Sequence, residues 1–228
     1  MNYPFKDAII SYVRYGGLDG SEFHNTIMNI LETYPKPAVD CLMNFLSTHD
    51  TIRAITKLAG EEIERKPNFV EERMEQARLD KLSKEQYRLG KKRLKVATII
   101  QYFLPGIPCV YYGDEAGLMG YKDPFNRKCY PWGKRDKDLV KFFRSLGKIR
   151  KQNPFLAEAD FAFIKVDTDV CIFERKAKGS KLLIAINRSG NKRAIEIPKE
   201  YQNGQVLFKL RNSTQKELDA YGGVIILL

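Results

Sequence analysis

Four cysteines in 228 residues are too few for a disulfide-built scaffold, and their placement rules out a zinc site of the usual spacing. Cys41, Cys109, Cys129 and Cys171 stand alone, with no CxxC pair and no histidine nearby at ligand spacing. Cys41 and Cys109 fall in strand-like runs, where a thiol is expected to behave as a small buried hydrophobe. No apolar run approaches the roughly 20 residues that cross a bilayer, so no membrane partner is expected. Met1-Asn2-Tyr3-Pro4 lacks the basic start and long apolar core of a secretory leader, which favours the cytoplasm without fixing the compartment. Internal repeats and low-complexity tracts are also absent.

What is present suffices for a large core: 43% of residues are hydrophobic and 29% charged, an ordinary balance for a globular chain. The net charge of +11 raises an acidic partner such as nucleic acid. The Lys and Arg are spread through the chain, however, and the densest cluster, Lys91-Lys92-Arg93, lies in a helical pattern as a solvated face. No basic motif with interleaved aromatics is seen, so nucleic acid is not the expected partner.

The first 154 residues alternate helices and strands. A helical pattern over 6–15 stops at Gly16-Gly17, and Ser21 is the expected cap of a second helix carrying Phe23, Ile27 and Ile30. Residues 41–46 read as a short apolar strand that ends in Ser47-Thr48-His49-Asp50. A strand delivering His and Asp at its carboxyl end is a catalytic pattern in a barrel enzyme; equally, Asp50 would cap the helix carrying Arg53, Ile55 and Leu58. Residues 61–82 read as an exposed, charged helical excursion with no assigned chemistry. Ser83 and Gln86 form a capping box that opens a long helix to about Phe103. Next comes a buried strand at 107–112, bounded by Leu104-Pro105-Gly106 and Gly113, with Asp114 and Glu115 placed as structural acids at its end. A loop dense in Gly, Pro and aromatics runs to Gly133, and Asp136 or Asp138 opens a helix that Asn153-Pro154 ends. From 155 to 228 the pattern is all-β, with strands at 161–166, 170–175, 181–187, 193–197, 205–210 and 224–228, as in a small antiparallel sandwich.

These residues carry a resemblance. Asn44-Phe45-Leu46-Ser47-Thr48-His49-Asp50 followed by Arg53 resembles the fourth sequence region of the α-amylase family, glycoside hydrolase family 13. Residues 104–115 resemble that family's eighth barrel strand and the turn after it. Asp123-Pro124-Phe125-Asn126-Arg127 with Pro131-Trp132 resembles its sugar-contacting loop. Met1-Asn2-Tyr3-Pro4-Phe5 is similar to the sixth strand in the neopullulanase and cyclomaltodextrinase branch, and the β tail to the C-terminal sandwich. The resemblance implies the last part of a (β/α)8 TIM barrel, strands six to eight with their helices, over 1–154, and a C-terminal antiparallel β-sandwich over 155–228. It implies that Asp50 is the carboxylate that stabilises the transition state and that His49 binds sugar hydroxyls. Asp123 and Arg127 would hold an α-glucan or maltooligosaccharide, or else form a local ion pair that shapes the loop. Trp132 and Tyr121 would stack on sugar rings, or else pack the loop.

Retaining glycoside hydrolysis needs a nucleophile and a proton donor about 5–5.5 Å apart. The family places the nucleophile in Gly-x-Arg-x-Asp and the acid on a later Glu; neither pattern occurs here. A whole barrel takes about 250 residues, so only its last three strand–helix units fit before residue 155. The expectation is a glucan-binding chain that is inactive alone, with retaining hydrolysis of α-1,4 or α-1,6 bonds belonging to the complete enzyme. No cofactor is expected in this chain, calcium being a matter for the full-length enzyme. A second copy is expected over the open barrel edges. A purely glucan-binding fragment and a basic nucleic-acid-binding protein stay as alternatives.

Overall fold

The computed structural model describes residues 1–14, 17–64 and 68–228. Its first helix, α1 (Tyr3–Val13), begins where Asn2 caps it: the Asn2 side chain accepts from the Phe5 N–H, and Pro4 sits in the first turn, where a missing N–H costs nothing. The expected strand over residues 1–5 is therefore helix from Tyr3 onward. Only the Asn2 N–H, donating to the Met43 carbonyl at 3.0 Å, retains strand-like pairing. Tyr15 and Gly16, part of the expected end and stop of this helix, lie outside the described residues, as do Arg65, Lys66 and Pro67 of the charged excursion.

Helix α2 (Gly20–Thr33) is capped by Asp19 rather than Ser21, because Asp19 and Glu22 complete a reciprocal capping box two residues earlier. A short α3 (Lys36–Asp40), β1 (Met43–Asn44) and α4 (Ala54–Ala59) follow. Among its described residues the excursion contains one helix, α5 (Phe69–Leu79), capped by Asn68. The Ser83–Gln86 capping box opens α6 (Lys84–Phe103) as expected. Gly106 turns the chain into β2 (Ile107–Pro108) at a φ of 106°, where a Cβ would lie 2.4 Å from the Leu42 carbonyl oxygen. Asp136 caps α7 (Lys137–Gln152).

β1 and β2 pair in parallel, Met43 opposite Ile107. The strands expected over 41–46 and 107–112 shrink to this pair, since a ladder extends only where a partner strand meets it, and among the described residues β2 is paired on the β1 side alone. The expected burial shrinks too: Ile107 is 55% exposed, Cys41 is exposed and Cys109 half-buried, so neither thiol is a core hydrophobe.

The β region holds β3 (Asp160–Val166), β4 (Val170–Ala177), β5 (Ser180–Asn187), β6 (Arg193–Ala194), β7 (Gln205–Leu210), β8 (Glu217–Leu218) and β9 (Gly223–Leu227). Five strands form one antiparallel sheet in the order β3-β4-β5-β9-β7, and β6 pairs with β8 separately. The two-residue period of β5 divides its burial. Leu182, Ile184 and Ile186 join the core shared with α6 and α7, while Leu183 and Ala185 join a second cluster with Ile195 and Leu218. Both faces are buried, which is why β5 reads as an unbroken apolar run. The first core crosses the residue 154/155 boundary without a break.

Part of the excess positive charge is spent inside the molecule. Helix C-termini leave carbonyls without intrahelical donors. Arg14 donates to the carbonyls of Lys57 and Gly60, and Arg93 to that of Leu58, at the end of α4. Arg150 donates to the Tyr102 carbonyl and Arg175 to that of Phe103, at the end of α6. Arg188 donates to the carbonyl of Tyr12, at the end of α1, and to that of Leu18, just before α2. Arginine suits this task because its fork satisfies several acceptors from one stem.

Candidate functional site

The segment after β1 turns sharply because its hydroxyls bond to nearby backbone. The Thr48 N–H donates to Thr51 Oγ1 at 2.9 Å, and the Asp50 N–H to Thr48 Oγ1 at 3.1 Å. This turn leaves the side chains of His49 and Asp50 in solvent, with His49 Nε2 3.2 Å from Asp50 Oδ1. Asp50 does not cap α4. The cap position is Arg53, without a side-chain bond, so that reading of Asp50 falls away.

Arg53 is fully buried and organises the ground beneath the turn. Its Nε donates to the Asn126 carbonyl at 2.8 Å and its Nη1 to Asp114 Oδ1 at 3.2 Å, and Nη1 also donates to the Tyr112 carbonyl. Its guanidinium carbon lies 4.1 Å from the Tyr111 ring centroid. Asp114 also accepts from Ser47 Oγ. Burial pushes the Asp114 carboxyl up to about 6, against the opposing pull of the Arg53 charge and the Ser47 hydrogen bond. Glu115 accepts from the Gly113 N–H at 2.8 Å. Both acids hold the strand end together, as their position in the sequence suggested.

The loop that follows β2 is stitched onto the turn after β1. Asn126 is buried, and its Nδ2 donates to the carbonyls of His49 and Thr51, each at 2.8 Å. The Gly120 N–H donates to Thr56 Oγ1 at 3.0 Å, and the Gly120 carbonyl accepts from the Arg53 N–H at 2.9 Å. A Cβ at Gly120 would sit 2.1 Å from the Phe125 carbonyl oxygen, so the loop closes only around glycine. The result presents Asp123 and Arg127 to solvent, paired at 3.0 Å and each about half exposed.

His49, Asp50, Asp123 and Arg127 line one cleft of about 680 Å3. Phe69, Glu72, Arg73 and Gln76 of α5 line it as well, residues from a stretch to which the sequence assigned no chemistry. The charges around the cleft balance: Asp50, Glu72 and Asp123 are matched by Arg73, Lys122 and Arg127. Such a lining suits a neutral polyhydroxyl ligand better than a polyanion. Trp132 is 77% exposed and lies against Tyr130, outside this lining. Tyr121 offers no exposed stacking face. It is 2% exposed and its hydroxyl donates to the Glu61 carbonyl at 2.8 Å. Among the described residues, no three His, Cys, Asp or Glu side chains are grouped to hold a metal ion.

Arg53 and Asn126 were visible in the sequence only as letters within motifs. Their signal was a charged and an amide side chain inside runs whose neighbours are apolar or turn-forming. Phe69 carried a clearer sign: a lone aromatic in a charged helix, with Arg73 one turn on.

No family model matches the chain. An amylopullulanase from Thermoanaerobacter thermohydrosulfuricus is 37% identical over 191 residues, covering 79% of this chain and 12% of that protein. A cyclomaltodextrinase from Geobacillus thermopakistaniensis is 31% identical over 202 residues, covering 87% of this chain and 29% of that protein. The chain therefore spans less than a third of either relative. Among solved structures, a debranching enzyme from Nostoc punctiforme matches 99% of this chain and 47% of its own with a TM-score of 0.78 at 22% identity, a likeness of fold.

Proposed function

The chain belongs to the α-amylase family, glycoside hydrolase family 13, as a C-terminal portion in the neopullulanase and cyclomaltodextrinase branch, and from that premise we propose that it forms the glucan-gripping side of an enzyme that hydrolyses α-1,4 and α-1,6 glucosidic bonds with retention. The observation that carries this reading is the meeting of His49, Asp50, Asp123 and Arg127, from two loops far apart in sequence, around one charge-balanced cleft. Asp50 is the carboxylate that faces the developing positive charge of the sugar ring, and His49 beside it hydrogen-bonds a hydroxyl. Arg127 and Asp123 present a donor fork and an acceptor to adjacent hydroxyls of a neighbouring sugar, exchanging their mutual ion pair for bonds to the ligand. The exposed Trp132 is an additional stacking face at the rim.

The chain alone binds glucan and does not cleave it. Retention needs two further carboxylates on opposite faces of the bond, and the sequence holds no Gly-x-Arg-x-Asp nucleophile pattern. The five-stranded sheet and the β6–β8 pair support reading the region from β3 to β9 as the family's C-terminal sandwich domain.

The test is calorimetry of the purified 228-residue chain with maltoheptaose, alongside an assay for released sugar. Binding that disappears in Arg127→Ala, without sugar release, is the expected result. Turnover by the native chain overturns the claim of inactivity, and no binding at millimolar glucan overturns the site. The rival nucleic-acid reading would place a polyanion on the groove of α7 lined by Lys137, Lys141, Arg144 and Lys148, whose lining includes no aromatic side chain. Strong DNA binding that falls steeply with salt would favour that reading.

A further inference from the structure

α5 carries none of the recognised motifs, yet it closes the cleft. Lys122, next to Asp123, lies 3.6 Å from Glu72 of α5, and Lys128, next to Arg127, lies 2.5 Å from Asp80 just past the helix end. These two ion pairs latch the helix to the loop that presents Asp123 and Arg127. At its start the Asn68 side chain accepts from the Glu71 N–H at 2.8 Å, which fixes where Phe69 emerges.

Two features of this helix point to a ligand. The first is Phe69, which remains 68% exposed while lining the cleft. The Arg73 guanidinium carbon sits 4.5 Å from its ring centroid, so one face is backed by a cation and the remaining surface is presented to the outside. The second is Gln76, also in the lining, which is only 4% exposed. Its Nε2 donates to Glu72 Oε1 at 3.1 Å, but its buried Oε1 has no hydrogen-bond partner. A buried acceptor without a donor is costly, and a sugar hydroxyl is a donor.

We propose that α5 is a second glucan-binding wall, with Phe69 as a stacking platform and Gln76 Oε1 as an acceptor for a sugar hydroxyl. This rests on the reading above that the cleft takes an α-glucan, and it adds a contact surface outside the four motif residues. A pyranose ring offers an apolar C–H face of the size of a phenyl ring, and Arg73 behind the ring holds that platform at a fixed angle.

The experiment measures maltoheptaose affinity of the native chain, Phe69→Ala, Phe69→Trp, Gln76→Met and Arg127→Ala by calorimetry, with a thermal melt for each. Phe69→Ala is expected to bind roughly tenfold more weakly and Phe69→Trp at least as tightly as native, since the larger ring restores the platform. Gln76→Met is expected to bind several-fold more weakly with an undiminished melting temperature, because it removes an unsatisfied acceptor from the protein. Native-strength binding by Phe69→Ala or Gln76→Met, with Arg127→Ala defective, overturns the α5 wall and leaves the glucan site standing. Absence of maltoheptaose binding by the native chain overturns both.

Discussion

Asn126 Nδ2 donates to the His49 carbonyl at 2.8 Å, and this bond sets the position of Arg127 relative to Asp50. The same amide donates to the Thr51 carbonyl at 2.8 Å, so one buried side chain holds both loops of the cleft. Asn126→Leu removes the donor and leaves these part-buried carbonyls without it. We expect a loss of about 2–3 kcal/mol in urea denaturation, together with weaker maltoheptaose binding. Arg127→Ala, at a half-exposed pair, should leave stability within about 0.5 kcal/mol while removing binding. Equal stability of Asn126→Leu and the native chain would show that the loops do not depend on this link.

Asp114 gives a pH signature. Its carboxyl takes a proton near pH 6 in the folded chain, where burial outweighs the pull of Arg53 and Ser47, against 3.8 for an ordinary aspartate. Between those values the folded state holds the extra proton. The contribution of this group is therefore fully present below 3.8 and lost as pH rises through about 6. Carbon-13 titration of the Asp114 carboxyl should show a midpoint near 6, and Arg53→Met should move it higher by removing the opposing cation. A native midpoint near 3.8 would contradict this account.

The sequence discloses elements whose causes are local and conceals those whose causes are distant. The Ser83–Gln86 box marks α6 because both partners lie within one turn. The second helix shows how local signals compete: Asp19 and Ser21 both fit a cap, and only the reciprocal bond with Glu22 decides between them. The strands at 41–46 and 107–112 fall short because pairing is set by a neighbouring strand, which composition does not reveal. His49, Asp50, Asp123 and Arg127, which line one cleft, were legible as motif letters. Phe69 stood out as a lone aromatic, but its place at the cleft, like that of Gln76, was not legible, because the ion pairs of Glu72 and Asp80 that bring α5 there are tertiary. For Tyr121 the sequence left stacking and loop packing open, and the choice between them rests on a distant partner, the Glu61 carbonyl.

Arg175 tests the helix-end arginines. It is fully buried on β4 and donates to the carbonyls of Phe103, Leu156 and Ala159 at 2.8, 3.0 and 2.8 Å. Arg175→Met strands these acceptors but also removes a buried cation whose desolvation opposes folding. The net expectation is a loss of about 2–4 kcal/mol, measured by urea denaturation. Arg144→Met, at an exposed position on α7, should change stability by no more than about 0.5 kcal/mol. A similar small effect at both sites would refute the capping role.

The β2 edge supplies the last prediction. β2 pairs with β1 on one side, and Ile107 on it is 55% exposed, with Tyr112 beyond it 41% exposed. An unpaired parallel edge carrying apolar side chains is a template for another strand. Expressed alone, the 228-residue chain should therefore associate through this edge, giving at least a dimer by light scattering at micromolar concentration. Ile107→Lys places a charge where the second strand would pack, and it should shift the population toward monomer without lowering the melting temperature, because the side chain is exposed in the single copy. A native chain that stays monomeric removes the edge as an interface. A dimer untouched by Ile107→Lys moves the interface elsewhere, and the charged groove of α7 is then the next surface to substitute.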